Sequence, residues 1–144
     1  MKTIFTTFML LFTMLIFAQK VDYDKKTDLI KVKGKPYAKM HRTNADSQFP
    51  LNKDFLFTDL DGNEILFMKC KKIKKFDYWG RLVDEKTGYE LIFIDSGVRS
   101  AGFKINTMGA KGAAKLFVKN KLLKNGKLDQ KAKKIFLAKY RRTI

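Results

Sequence analysis

The chain has 144 residues, with 31 Lys and Arg against 14 Asp and Glu, one His and one Cys. A single cysteine excludes an internal disulfide, and one His with one Cys excludes a zinc site of the usual ligand types. A formal charge of +17 directs attention to acidic partners, because so basic a surface attracts phosphate- or carboxylate-rich matter over long range.

The first elements read as an address. Lys2 supplies a short positive start, Ile4 to Phe17 carry no charge, and Ala18 offers a small residue before Gln19-Lys20. That order predicts an export signal over residues 1–18, cleaved after Ala18, with the mature chain in the periplasm or outside the cell. A retained anchor is the weaker reading: at ~1.5 Å per residue the apolar run reaches roughly 21 Å, short of the ~30 Å hydrocarbon core. The signal ending Phe17-Ala18-Gln19, with the hairpin style of Gly34-Lys35-Pro36-Tyr37 and Asp61-Gly62, resembles the small exported proteins common in Bacteroidota. The resemblance implies export and no particular activity.

Residues 19–28 are polar and are expected to form a mobile arm or an edge strand, followed by a single basic domain over 29–144. Leu29 to Val32 and Tyr37 to His41 read as paired strands around Lys33-Gly34-Lys35-Pro36. Arg42 to Asn52 reads as a loop. Asp54 to Leu60 and Glu64 to Cys70 flank Asp61-Gly62-Asn63, a strong hairpin signal. Both runs are apolar at successive positions, which predicts central strands covered on both faces. Lys71 to Lys75 should then emerge into solvent. A further hairpin is expected around Asp84 to Gly88, with Trp79 to Val83 leading in and Tyr89 to Asp95 leading out. Val98 to Ile105 reads as the last strand, with a bulge at Gly102.

From Thr107 the spacing changes to that of a helix, with Ala110, Ala113, Ala114, Phe117, Val118 and Leu122 on one face. Asn125-Gly126 is expected to stop this helix, and Asp129 to cap a second one whose Ala132, Ile135, Phe136 and Tyr140 share a face. Strands over 29–105 followed by a helical hairpin over 106–144 predict an α+β fold with a mostly antiparallel sheet.

Chemistry-bearing motifs are few. Phe55 to Gly62 resembles the first motif of haloacid-dehalogenase-type phosphatases, which implies Asp59 as nucleophile, Asp61 as acid/base and magnesium beside them. The Thr usual after the Gly is Asn63 here, and a hairpin turn accounts for the same residues. An envelope phosphatase using Asp59 and Asp61 is therefore the enzymatic alternative to a non-enzymatic protein. Asp59, Asp61 and Glu64 do not make an EF-hand, whose twelfth position would be Cys70. Ser47, Ser96 and Ser100 lack a nucleophile-elbow pattern, and nothing ties His41 to them. No catalytic residue, metal site or cofactor is expected. Cys70 reads as a small buried strand residue.

The remaining signal is charge. Residues 104–144 hold eleven Lys and two Arg against Asp129 alone. Lys111, Lys115 and Lys119 recur every fourth residue and form one stripe, with Lys121 and Lys124 close behind; these five are the candidate anion contacts. Phe76, Tyr78 and Trp79 beside Lys74, Lys75 and Arg81 form a second candidate patch, of the kind that holds a sugar or lipid head group. The partners these imply are anionic lipid, lipopolysaccharide, acidic polysaccharide, or an acidic protein to which the chain is an accessory subunit. Lys outnumbers Arg, so specific nucleic-acid recognition is not expected.

Overall fold

The computed structural model describes residues 20–44, 53–106 and 109–140, the side chains of 44, 73 and 101–106 apart. The expected export signal and most of the expected loop 42–52 lie outside the described residues. Seven strands, β1 (Val21–Asp24), β2 (Leu29–Val32), β3 (Lys35–Asn44), β4 (Lys53–Thr58), β5 (Glu64–Phe76), β6 (Leu82–Phe93) and β7 (Arg99–Asn106), form one sheet. They lie in sequence order and every neighbouring pair is antiparallel. Helix α1 (Ala110–Lys119), a two-residue ladder of β8 (Leu123–Lys124) with β9 (Lys127–Leu128), and helix α2 (Gln130–Tyr140) follow. The fold is α+β, a sheet of hairpins with two C-terminal helices packed on it.

The polar start of the described chain is an edge strand, β1, paired with β2. The Asp61-Gly62-Asn63 hairpin forms as its composition requires. Asp59 accepts from the backbone N–H of Asn63 at 2.8 Å and from its side-chain amide at 2.7 Å, closing the turn through both carboxylate oxygens. The fold is thus not the parallel, doubly wound sheet that the phosphatase resemblance implies.

Among the described residues, the two faces of the central strands are covered unequally. Phe55, Phe57, Leu66, Met68, Tyr89, Leu91 and Phe93 are buried beneath the helices, whereas Leu56, Phe67 and Ile92 are only half-buried. These last three stand side by side across β4, β5 and β6, so each shields its neighbours on the open face. Among the described residues, successive apolar residues here mean a packed face backed by a cross-strand row.

The next hairpin departs most from expectation. Asp84 to Gly88 is not a turn; it lies inside β6, paired along its length with Lys71 to Lys75 of β5. Lys72 and Lys74 meet Glu85 at 2.7 and 3.9 Å, and Lys71 meets Glu90 at 3.0 Å, so acids on one strand offset lysines on the other. The turn falls at Asp77 to Arg81. Asp77 accepts from the N–H groups of Trp79 and Arg81 at 2.9 Å each, and from Arg81 Nε at 2.9 Å. The expected bulge in β7 is present: Gly102 stands opposite Tyr89, and the next partner of β6, Gly88, pairs with Asn106.

Helix α1 ends at Lys119, earlier than expected, with Lys121 in the left-handed region at φ 50°. Asn125-Gly126 is therefore not a helix stop. Both residues take positive φ, 51° and 75°, which is the mirror-image turn a two-residue hairpin demands, and β8 and β9 pair around it. Asp129 caps α2 as its composition predicts, accepting from the N–H groups of Lys131 and Ala132 at 2.8 and 3.2 Å. On α2 the buried face is Lys133, Phe136 and Tyr140, while Ile135 points to solvent, contrary to expectation.

Aromatic rings fasten the layers. Phe117 of α1 stacks on Phe57 of β4 at 4.4 Å between centroids and 8° between planes, and meets Tyr37 edge-on at 6.3 Å. Phe136 of α2 meets Phe93 edge-on at 5.9 Å. The Tyr37 hydroxyl bonds both the N–H and the C=O of Leu123, tying β3 to the small C-terminal ladder. Cys70 is buried in β5, its N–H held by the buried Asp54 at 2.7 Å. Burial, then the Asp54 charge, pushes the Cys70 thiol up, which suits packing rather than reactivity.

Candidate functional site

The α1 sequence places its small and aromatic residues, Ala113, Ala114, Phe117 and Val118, against the sheet. The helical period then turns Lys111, Lys115 and Lys119 outward together, and all three are exposed. Lys121 and Lys124 are exposed on the connection that follows, and Lys127, Lys131, Lys134 and Lys139 add to the same C-terminal unit. None of these nine is in a salt bridge among the described residues. Lys124, Lys127 and Lys131 also line a depression completed by Asn125, Leu128, Asp129 and Gln130.

The row has a local cost. Lys111 stands in the first turn of α1, where the helix dipole disfavours a cation, and that turn has neither an acidic residue nor a side-chain cap. Like charges at i, i+4 add ~0.2–0.5 kcal/mol of repulsion per pair.

Lys133 is the exception that the sequence did not reveal. Its side chain is buried, its ammonium sits 5.1 Å from the Phe93 ring centroid, and it donates to Asp95 at 2.5 Å and Ser96 at 2.6 Å. Gln130 donates to the other Asp95 oxygen at 3.0 Å. Partial burial works to raise the Asp95 carboxyl, but the bonds from Lys133, Gln130 and Ser96 outweigh it and hold Asp95 below the usual carboxylate range. This cluster locks α2 to the β6–β7 turn. The lysine belongs to the fold, not to the anion-facing set.

The second patch lies elsewhere, at the tip of the β5–β6 ribbon. Tyr78 is 93% exposed and Trp79 75%, with Phe76, Leu82 and Val83 also exposed around them. Lys74, Lys75 and Arg81 flank them, as the sequence suggested. The structure therefore presents two separate features, a lysine row on α1 and an aromatic tip on β5–β6.

The remaining candidates are structural in their surroundings. His41 bonds Asp28 at 3.0 Å, and Asp28 also accepts from the Tyr23 hydroxyl at 2.7 Å. Burial, with Asp28 beside it, pushes the Tyr23 phenol up to about 12. Among the described residues no three His, Cys, Asp or Glu side chains converge to hold a metal ion.

The bonds from Asn63 and from the backbone hold Asp59 below the usual carboxylate range, against the opposing effect of burial. A depressed carboxylate stabilises the fold above its unfolded value of ~3.9, and that contribution is lost as pH falls through the lower folded value. Asp59→Asn is expected to lower the melting temperature at pH 7. It should also flatten the fall in melting temperature between pH 5 and pH 2, read by circular dichroism.

No protein-family model, curated protein or solved structure matches this chain.

Proposed function

We propose that this is an exported, non-enzymatic protein that binds an anionic surface of the cell envelope through its C-terminal helices. The observation that carries the reading is the α1 row of Lys111, Lys115 and Lys119, exposed and without ion-pair partners among the described residues. On the β5–β6 ribbon, by contrast, Lys71, Lys72, Lys74 and Lys86 are matched with acids. A sequence that keeps a cation at the unfavourable end of a helix breaks a local rule without a local gain, and such breaks gather at functional sites. Anionic lipid, lipopolysaccharide and acidic polysaccharide share the phosphate or carboxylate chemistry the row would meet. The engagement of both Asp59 oxygens by Asn63 in the turn weighs against Asp59 as the nucleophile of the phosphatase alternative.

Two measurements test this. Intact mass of the protein from an envelope fraction is expected to begin at Gln19 or its cyclised form; a species retaining Met1 contradicts export. Co-sedimentation with vesicles containing phosphatidylglycerol is expected to be strong at low salt and to weaken steeply as salt rises, because exposed charges are screened over ~10 Å at 0.1 M. Binding that ignores salt, or that is equal on purely zwitterionic vesicles, contradicts the anionic-surface reading.

A further inference from the structure

The β5–β6 ribbon leaves the sheet before it ends. Pairing with β4 reaches only Met68 of β5, and pairing with β7 reaches only Gly88 of β6. Beyond that, among the described residues, Lys71–Phe76 and Leu82–Thr87 pair only with each other. At ~3.3 Å per residue this two-stranded arm projects roughly 20 Å. Its end gathers five of the nine large hydrophobic residues exposed among the described residues: Phe76, Tyr78, Trp79, Leu82 and Val83. A turn built only for solubility would not combine three aromatics with two aliphatics. The Tyr78 and Trp79 rings meet edge-on at 5.4 Å, and Asp77 locks the turn from within.

We infer that this arm is an interfacial membrane anchor: the Phe76–Val83 tip enters the head-group region of a bilayer containing anionic lipid, with Lys74, Lys75 and Arg81 at the phosphate level. Three observations favour lipid over the other acidic partners. The tip projects beyond its pairing with β4 and β7, a shape that suits entry into a bilayer better than enclosure of a sugar ring. Leu82 and Val83 gain nothing from a polysaccharide but do gain from leaving water. Tyr and Trp prefer the boundary between water and hydrocarbon, where ring and polar handle are both accommodated. The ribbon's six Lys and Arg outnumber Asp77, Asp84 and Glu85; Lys75 has no salt bridge among the described residues, and Lys74 and Arg81 stay exposed beside Glu85 and Asp77, so the arm keeps a net positive charge toward acidic head groups. The ladder and the Asp77 bonds satisfy the inward backbone groups of the arm, and its outward ones stay with water and head groups, which limits entry to the interface. The inference rests on the anionic-surface reading and narrows it to lipid.

Trp79 is the chain's only tryptophan, so its fluorescence reports the tip directly. On adding phosphatidylglycerol vesicles to the intact protein, emission is expected to shift to the blue. Acrylamide should quench it less, and lipids labelled near the head group should quench it more than lipids labelled deep in the chain. Tyr78→Ser with Leu82→Ser keeps the probe, alters only exposed residues, and is expected to weaken vesicle binding about tenfold. Binding by sedimentation with unchanged Trp79 emission would overturn the anchor while leaving the anionic-surface reading intact. Absence of any binding at low salt would overturn both. An equal blue shift with dextran sulfate, a soluble acidic polysaccharide, would overturn the assignment to lipid.

Discussion

Phe117→Ala is expected to lower the free energy of unfolding by about 3–5 kcal/mol, the usual cost of emptying a buried aromatic position. Phe117 is where α1 meets the sheet: it stacks on Phe57 and touches Tyr37, which in turn holds Leu123 through its hydroxyl. Its loss leaves a cavity between the layers and loosens the anchorage of the lysine-bearing helix. Domains of this size are stable by only ~5–15 kcal/mol, so the variant should be close to unfolding at physiological temperature. Urea titration is expected to show a much lower midpoint with little change in slope. Ile135→Ala, at an exposed position of α2, is the contrast and should stay within ~0.5 kcal/mol of the parent. Similar small effects for both would contradict the packing described.

Replacing Lys111, Lys115 and Lys119 together by Gln is expected to weaken binding to anionic vesicles roughly 100-fold at low salt. A Lys near an anionic surface contributes ~1 kcal/mol, and three such terms amount to about two decades in affinity. Stability should move the other way. Two i, i+4 repulsions disappear, and the first turn of α1 loses a cation opposed to its dipole. The expected gain is up to about 1 kcal/mol, offset in part by losing Lys119 from the last turn. Weaker binding with an equal or higher urea midpoint separates a contact surface from a folding defect. Retained affinity would remove the row from the binding surface.

The parts of this fold that sequence reveals are those set by neighbours in the chain. Asp61-Gly62, the Asp129 cap and the lysine stripe each depend on residues within one turn of one another. The β5–β6 hairpin misleads for the opposite reason. Asp84 to Gly88 has the composition of a turn, but its Glu85 is drawn into a ladder by Lys72 and Lys74 on the other strand, and Asp77 makes the turn instead. Asn125-Gly126 reads as a helix stop only if the helix reaches it; a helix ending at Lys119 frees the pair for its favoured hairpin turn. Lys133 could not be told from its neighbours, because Asp95 and Ser96, which draw it inward, lie 38 and 37 residues away. The aromatic tip was legible as composition, whereas its projection from the sheet is a matter of where β4 and β7 stop pairing.

The central claim is that the α1 row makes the largest charge-dependent contribution to binding, which is therefore not a property of net charge. The direct measurement compares two variants of equal charge on phosphatidylglycerol vesicles across a salt series. One carries Gln at Lys111, Lys115 and Lys119; the other carries Gln at Lys25, Lys26 and Lys35, which are likewise exposed but lie on β1–β3 and their turns. The account predicts that the α1 variant binds at least about tenfold more weakly than the control at low salt, with a shallower salt dependence than the parent. Equal weakening in the two variants would contradict it.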